Sequence, residues 1–294
     1  MSAPPLPFTS ASATLTTRRN AVNIVATVFT TLASAFAIAV FLSVVLYVLV
    51  QGGKYLNIDF FTLLPAPIGE AGGGVANAIA GSLVLLGLAA LLGIPLGLFS
   101  GLYLAEFGRT SRFATGVRFI IDVLTGIPTI IFGLFAWVVI VVPQHGFSAY
   151  AGGIALGIIM IPIMTRTTEE ILRLVSVELR EAALALGVPE WRTLLQVILP
   201  SVRGGLVTGI LLALTRVAGE TAPLLLTSFG NNFWNLGLNH AIDSLPTRIY
   251  LFAQSGFPTQ VHQAYAGAFV LICMLILTSF AVRLATGGFK PRGR

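Results

Sequence analysis

Charged residues are scarce in this chain: Asp, Glu, Lys and Arg make up 10% of its 294 residues, whereas 56% are hydrophobic. The mean hydropathy is +0.92. Typical water-soluble domains carry about 25% charged residues, which hold their surface in water. The scarcity of charge therefore excludes a soluble globular domain and predicts an integral membrane protein.

Residues that hold metals or form disulfides are also few. Cys273 is the single cysteine, and His145, His240 and His262 show no ligand spacing. Neither a disulfide framework nor a metal site is therefore predicted. The chain also lacks a Gly-rich phosphate loop of the Walker type, so we expect no ATPase site and no cofactor of its own.

The apolar residues are gathered in runs long enough to cross a membrane. A hydrocarbon core of roughly 30 Å requires about 20 apolar residues in a helix, and helices satisfy their own backbone groups in lipid. The sequence therefore predicts an all-α integral membrane fold with six transmembrane helices. The predicted spans are residues 22–50, 76–104, 117–142, 149–168, 203–229 and 263–285.

The basic residues lie mainly on one side of these spans. Most of the 17 Lys and Arg residues fall within 1–21, 105–118, 166–203 and the C-terminal tail, whereas the opposite segments carry only Lys54 and Arg248. The positive-inside rule places both termini in the cytoplasm. This asymmetry accounts for the net charge of +6 without any nucleic-acid partner.

The same pattern suggests a simple domain division. Residues 1–21 are rich in Ser, Thr, Pro and Ala and are predicted to form a disordered cytoplasmic tail. A six-helix transmembrane domain is expected over 22–285, and a short cytoplasmic tail over 286–294. "TTRRN" is similar to a twin-arginine leader, but the apolar run after it is too long for a signal peptide, so cleavage is not expected.

Prolines and one long connection complete the outline. Pro95, Pro128, Pro162 and Pro223 lie inside predicted spans and are expected to bend them. The connection 230–262 mixes aromatic, apolar and polar residues and is predicted to be partly helical.

The segment 176–200 is predicted to be a helix-Gly-helix loop on the cytoplasmic side. Ser176 is a suitable N-cap for a first helix, and Gly187 is a left-handed stop. Pro189 is placed as the first residue of a second helix, which is expected to end at Pro200. The loop thus projects a short helix with a small-residue face below the membrane.

At these residues the chain resembles the membrane permease subunits of bacterial ABC importers. The family motif is matched in register, with Val197 in place of the usual Ile, at Glu181, Ala182, Ala183, Gly187, Leu199 and Pro200. The resemblance implies that this loop docks into a cleft of an ATPase subunit and transmits its closure to the helices. The alternative is a helix at the membrane interface with only a structural role.

Two charges lie inside the fifth predicted span. Arg216 and Glu220 are four residues apart, hence on one helical face near mid-span. Charges at this depth are costly and are expected to face protein rather than lipid. They are either a structural ion pair or an anion contact in which Glu220 holds the arginine fork while the path is empty. The nearby Thr215, Thr221 and Thr227 are candidate hydroxyl donors.

A second pair with the same spacing lies at the cytoplasmic end of the third predicted span. Arg118 and Asp122 are four residues apart there. This spacing favours an ion pair on one helix. We predict that this pair is structural.

Several segments closely resemble the phosphate-specific permeases of the PstA type. They are "GIPLGLFSGLYLAEFG" from Gly93, "DVLTGIPTIIFGLFA" from Asp122, "MIPIMTRTTEEILRLVSVELREAALALG" from Met160 and "RVAGETAPLLLT" from Arg216. The resemblance implies a homologous second permease subunit, two ATPase subunits that bind ATP, and an extracytoplasmic phosphate-binding protein. It also implies that Arg216 and Glu220 belong to the phosphate path.

These observations predict a permease subunit of an ATP-driven phosphate importer in the bacterial inner membrane, working by alternating access. One alternative is a permease for another oxyanion, such as molybdate or sulfate, which the "AGETAPLL" context disfavours. Another is an ion-coupled secondary transporter or a channel, which leaves the helix-Gly-helix loop unexplained.

Overall fold

The computed structural model describes residues 9–67, 69–70, 72–108 and 111–285. Within these ranges the regular structure is helical, with only two isolated β-bridges, which confirms the predicted all-α class. The helices are α1 (Thr9–Lys54), α2 (Ile58–Thr62), α3 (Ala76–Glu106), α4 (Arg112–Gly126), α5 (Thr129–Ala136), α6 (Val142–Gln144), α7 (Ala149–Arg173), α8 (Val177–Ala185), α9 (Glu190–Arg192), α10 (Leu199–Ala218), α11 (Ala222–Thr227), α12 (Leu245–Ala253) and α13 (Pro258–Ala285). Two π-helical turns cover Trp137–Val141 and Thr193–Ile198.

The described part of the chain contains five helices long and apolar enough to cross a membrane, and a bent helix pair provides a sixth if it is one span. This agrees with the number predicted. The third predicted span, 117–142, is nevertheless wrong as a single helix, because Arg112–Gly126 and Thr129–Gln144 meet at 101°. Pro128 explains the break: it disfavours helical geometry at Ile127, which is extended with ψ 132°.

Helix α1 begins earlier than expected. It starts at Thr9, and its apolar portion Arg19–Lys54 has the length of a span. The predicted disordered tail over 1–21 is therefore wrong from Thr9 onward. Once a span has nucleated a helix, each further residue adds a hydrogen bond, so moderate helix formers extend it. Residues 1–8 and the predicted tail 286–294 lie outside the described residues.

Helices α3 and α7 pack closely along their lengths. A Cβ on Gly93 would lie 2.6 Å from Cβ of Met160, and one on Gly101 would lie 2.6 Å from the carbonyl oxygen of Thr165. Since real Cβ atoms do not approach so closely, these glycines are what allows the two backbones to meet. Met160 is fully buried in the resulting core.

The fifth predicted span, 203–229, is also broken. Helix α10 ends at Ala218, and α11 begins at Ala222 with Pro223 in its first turn. Pro223 lacks a backbone donor and its ring disfavours the preceding helical turn, which favours a break here, although α3 and α7 continue through Pro95 and Pro162. Gly133 of α5 lies against Pro223, and a Cβ there would be 2.5 Å from its Cα. The two broken spans therefore pack against each other near their breaks.

We predicted that the second helix of the 176–200 loop ends at Pro200, and this prediction is wrong. Helical structure runs from Glu190 through the second π turn to Ala218, so the loop merges with the membrane span. Pro189 is the N-cap rather than the first helical residue. The wider π turn directly before Leu199 makes room for the Pro200 ring, which would clash with a regular helical turn.

Between α11 and α12 lies a segment without regular structure, residues 228–244, which we call the strap. It is followed by α12, where Leu245, Thr247 and Phe252 are buried. The connection 230–262 is thus partly helical, as predicted.

Candidate transport and coupling sites

Arg216 and Glu220 form an ion pair across the end of α10. Arg216 lies in the last turn of α10, whereas Glu220 lies in the break before α11, and Nη1 of the arginine donates to Oε1 of the glutamate. The pairing expected from their spacing is therefore present, but Glu220 is not on the same continuous helix. The arginine side chain is 58% exposed and the glutamate side chain only 8%. Glu220 is thus fixed in the protein, and Arg216 presents its remaining donors at the surface of this chain.

The three candidate threonines differ in whether their hydroxyl groups are available to a ligand near this pair. The Thr215 hydroxyl donates to the Leu211 carbonyl at 2.6 Å, and that of Thr227 donates to the Pro223 carbonyl at 2.8 Å. Thr227 is also fully buried. Their hydroxyl protons are therefore used within their own helices. Thr221, half-buried beside Glu220, is the better placed of the three.

The first half of the helix-Gly-helix loop, from Ser176 to Gly187, has the local geometry that its sequence predicts. Ser176 is the N-cap of α8 in extended conformation, although its side chain makes no capping bond. The carboxyl of Glu178 has a lowered pKa because of a hydrogen bond to its own backbone and a second one to Ser176. Gly187 has φ +78°, the left-handed geometry expected of a glycine stop.

The motif residues of the loop divide between exposed and buried positions. Glu181 and Ala182 are exposed, Ala183 is 7% exposed, Leu199 is half-buried and Pro200 is exposed. Large apolar side chains beside them are open to solvent, namely Leu179, Leu184, Leu186 and Trp191. A cluster of exposed apolar groups around a polar helix is typical of an interaction surface.

The predicted ion pair between Arg118 and Asp122 is wrong, because each residue pairs with α7 instead. Arg118 Nε donates to Oε1 of Glu169 at 2.7 Å, and Arg166 pairs with Asp122. Arg173 also donates to Glu169, at 2.6 Å. The Glu169 side chain is 2% exposed, and a buried carboxylate of this kind requires strong cationic partners, which draw Arg118 away from its exposed neighbour.

Two further charged contacts were not anticipated from the sequence. Arg180 of α8 pairs with Glu106 at the end of α3, 74 residues earlier in the chain. Arg248 of α12 is 6% exposed and donates through Nε to Oδ2 of Asp243 at 2.7 Å. Burial raises the pKa of Asp243, and the Arg248 guanidinium opposes this shift. The sequence contained a weak signal for the second pair, since Arg248 is one of only two basic residues on its predicted side.

Metal ligation receives no support from the described residues. They contain no group of three or more His, Cys, Asp or Glu side chains that could hold a metal ion.

Comparison with known proteins places this architecture among transport permeases. Residues 93–294 match the family described as the binding-protein-dependent transport system inner membrane component. The phosphate transport system permease protein PstA of Yersinia pestis is 46% identical over 232 residues, 79% of each chain. That of Xylella fastidiosa strain Temecula1 is 42% identical over 278 residues, 94% of this chain and 96% of the relative.

Solved structures support the fold. An inward-facing conformation of the MetNI methionine ABC transporter matches 74% of this chain and 95% of its own, with 20% identity and a TM-score of 0.57. A bacterial ABC transporter involved in the import of the polysaccharide alginate matches 87% and 96%, with 14% identity and a TM-score of 0.59. At these identities the likeness concerns the fold alone.

The resemblance to importer permeases of the PstA type is thereby confirmed over most of the chain. Its long apolar helices and its family make it a multi-pass protein of the bacterial inner membrane. The chain belongs to the family of binding-protein-dependent transport system inner membrane components, and the PstA phosphate transport permeases are among its relatives.

Proposed function

We propose that this chain is the membrane permease subunit of an ATP-driven importer that moves inorganic phosphate by alternating access. The relatives that cover most of its length are phosphate transport system permeases. The observation that carries the proposal on the structural side is the Arg216–Glu220 pair at a helix break, with the arginine exposed and the carboxylate buried.

Arg216 has the chemistry that a transient phosphate contact requires. A guanidinium carries five N–H donors in a planar fork that matches phosphate oxygens. Among the described residues only Glu220 engages Arg216, through Nη1, so the remaining donors are available to an anion that approaches from the exposed side. Glu220 holds the arginine in place when no anion is bound, and Thr221 contributes a nearby hydroxyl. An arginine that was lipid-exposed at this depth would be costly, so we assign its exposed side to the path shared with a second permease subunit.

The loop 176–200 is the proposed connection to ATP. Exposed Glu181 and Ala182, buried Ala183, the left-handed Gly187, and Leu199 and Pro200 at the membrane end form the docking element for an ATPase subunit. This chain has no phosphate loop of its own, so ATP is bound and hydrolysed by two partner ATPase subunits. A small helix presented among exposed apolar residues suits a groove on such a partner.

The proposed orientation of the chain in the membrane follows from the distribution of its basic residues. Both termini and the 176–200 loop lie in the cytoplasm, whereas 51–75 and the strap lie outside, where an extracytoplasmic phosphate-binding protein delivers its cargo. The membrane domain is assigned to residues 22–285, with the termini as cytoplasmic tails. Membrane lipid and a homologous second permease surround this domain, and no nucleic acid is involved.

Phosphate uptake by cells that lack this chain tests the proposal. Restoring the chain should restore uptake of labelled phosphate, and an excess of sulfate or molybdate should leave that uptake unchanged. Competition by either anion would assign the permease to that oxyanion instead. Uptake without any co-purifying ATPase would favour an ion-coupled transporter or a channel.

A further inference from the structure

Helix α8, the proposed docking helix, has few apolar attachments to the rest of the protein. Ala183 is its only buried residue, whereas Leu179 and Leu184 are exposed. Its strong side-chain attachment is Arg180, which pairs with Glu106 and also donates through Nη2 to the Leu172 carbonyl at 3.2 Å. Both charged side chains are 13% exposed. This pair is therefore a direct side-chain link from α8 to the end of α3.

The pair has room to change its geometry without separating. Arg180 uses Nη1 for Glu106, and among the described residues neither Arg180 Nε nor Glu106 Oε1 has a hydrogen-bond partner. Both residues line a cavity of about 260 Å³ together with Leu184 and Thr193. An arginine and a carboxylate also interact side-on, through Nε and the second oxygen. A turn of α8 can thus convert one arrangement into the other while the contact persists.

Helix α3 is built to carry such a displacement over a long distance. It has 31 residues, or about 45 Å at the usual helical rise. Gly93, Gly97 and Gly101 lie so close to α7 that a Cβ on any of them would overlap an atom of that helix. Closely packed helices shift as units rather than deform.

The opposite end of α3 contacts the strap and the first residue of α12. The backbone N–H of Leu245 donates to the Ser82 hydroxyl at 2.8 Å, and Asn77 donates to the carbonyl of Asn231. The carbonyl of Asp243 lies so close to Gly81 that a Cβ there would overlap it. Asn77 is 3% exposed and Ser82 is 8% exposed, so these contacts are sheltered from water.

Arg248 links both ends of the strap by hydrogen bonds. It donates to Asp243, to Oδ1 of Asn232 at 2.7 Å and to the carbonyl of Asn231 at 3.2 Å. Asn231 and Asp243, which contact α3, are thus both linked to one buried guanidinium. A shift of α3 moves this network together rather than one loop residue at a time.

From these contacts we propose that α3 transmits displacement between its two ends. The Glu106–Arg180 pair transfers movement of the docking helix to α3. Asn77 transfers it to the strap, and Ser82 transfers it to Leu245 at the start of α12. Glu106 and Arg180 are positioning residues in this scheme and touch no substrate. The inference rests on the proposed function for its direction, with ATPase subunits acting on α8. Nucleotide binding on one side of the membrane then changes the strap on the other.

The test uses the complete complex with its permease and ATPase partners, reconstituted in lipid nanodiscs. A single cysteine replaces Phe233, a strap residue that is 73% exposed, in a Cys273→Ser background. Its labelling rate with a thiol reagent is measured without nucleotide and with ATP trapped by vanadate. We expect the two rates to differ by at least about fivefold, the lower end of usual coupling between two sites.

The decisive variant is Glu106→Gln with Arg180→Gln. It removes both charges, so no buried charge is left without a partner. It should assemble with its partners, yet the two labelling rates should become equal. The exchanged pair, Glu106→Arg with Arg180→Glu, should restore the difference at least in part. Glu170→Gln is the matched control, since this exposed carboxylate of α7 lies outside the pair, and it should behave as the parent.

A full nucleotide-dependent difference in the double Gln variant would overturn the proposal, and so would an exchanged pair that assembles but restores nothing. The readout does not depend on the cargo. Loss of phosphate specificity in the parent complex would therefore refute the proposed function while leaving the labelling test of α3 intact.

Discussion

Nε of Arg118 on α4 lies 2.7 Å from Oε1 of Glu169 on α7. The same carboxylate accepts from Arg173 at 2.6 Å and lies 3.6 Å from Arg166, which itself pairs with Asp122. Arg118 also donates to the Leu104 carbonyl at 2.8 Å, near the end of α3. One buried glutamate thus joins α4 to α7, and its arginine partner joins both to α3.

Replacing Glu169 by Gln should destabilise the protein by roughly 3 kcal/mol, because it leaves Arg118, whose side chain is 20% exposed, without its counter-charge. Asp122→Asn is the matched control: its side chain is 57% exposed, and the expected cost is below about 1 kcal/mol. Thermal unfolding of the purified complex in mild detergent measures both. Equal losses in the two variants would show that Glu169 is not the centre of this network.

The two interpretations of Arg216 and Glu220 are separated by removing both charges. Arg216→Met with Glu220→Leu leaves no unpaired group, so a purely structural pair should tolerate it. We expect instead a complex that assembles but imports phosphate at least about tenfold more slowly, equivalent to ~1.4 kcal/mol in the barrier. Uptake is normalised to assembled complex. Normal uptake would make the pair structural.

Single changes at the same pair probe its chemistry. Arg216→Lys should also lower uptake, since a point charge cannot reproduce the planar fork. Glu220→Gln should slow release of the anion, because the arginine then loses its competing partner. Single-turnover transport measurements would distinguish slow release from weak binding. Unchanged kinetics in both variants would remove this pair from the phosphate path.

Gly187 provides a test of the docking loop that involves backbone geometry alone. No atom lies within 4 Å of a Cβ placed there, but φ is +78°, so Gly187→Val should cost about 1–2 kcal/mol through the left-handed backbone. We expect weaker association with the ATPase subunit and lower uptake. Gly187→Asn is the control, because asparagine tolerates this conformation. If the Val and Asn variants transport equally well, the left-handed turn is unimportant for docking.

The proposed orientation can be checked with single cysteines in a Cys273→Ser background. Lys54, Asn239 and Glu190 are exposed in the structure. An impermeant thiol reagent applied to intact cells should label cysteines at positions 54 and 239 but not at 190. Labelling at 190 before the cells are opened would reverse the assignment.

The role of the glycines between α3 and α7 in packing can be tested by substitution, with Gly87 of the same helix as the control. Gly97→Leu should disrupt the helix pair, because even a Cβ would overlap the Met164 side chain, whereas no atom lies within 4 Å of a Cβ on Gly87. The Gly97 variant should therefore reach the membrane in lower amounts than Gly87→Leu. The amount of folded protein, measured by fluorescence-detected size exclusion, compares them. Similar yields would mean that close packing at Gly97 is dispensable.

Local patterns in the sequence were sufficient for much of the fold. The length of an apolar run predicts a spanning helix, and the glycine stop at Gly187 and the α8 helix before it depend on a few neighbouring residues. The spacing of Arg216 and Glu220 likewise predicted their pairing, although Glu220 lies just beyond the end of α10. These features could be predicted because the interactions that create them lie within one or two helical turns of the chain.

The breaks in two spans were only half predictable. Pro128 and Pro223 indicated bends, but the angle of 101° and the contact of Gly133 with Pro223 depend on how α5 and α11 pack. A proline removes a backbone hydrogen bond and so permits a bend, but the direction of the chain after the bend is set by the helices that pack against it.

Charge partners distant in the chain were decided by tertiary structure alone. Arg118 meets Glu169 across 51 residues and Arg180 meets Glu106 across 74, whereas the nearby Asp122 that spacing favoured for Arg118 pairs elsewhere. A charge sheltered from water binds whichever opposite charge the packing brings within reach, because an unpaired one is too costly. Sequence spacing describes neighbours on one helix, but the helices that lie side by side are chosen by the packing of the whole domain.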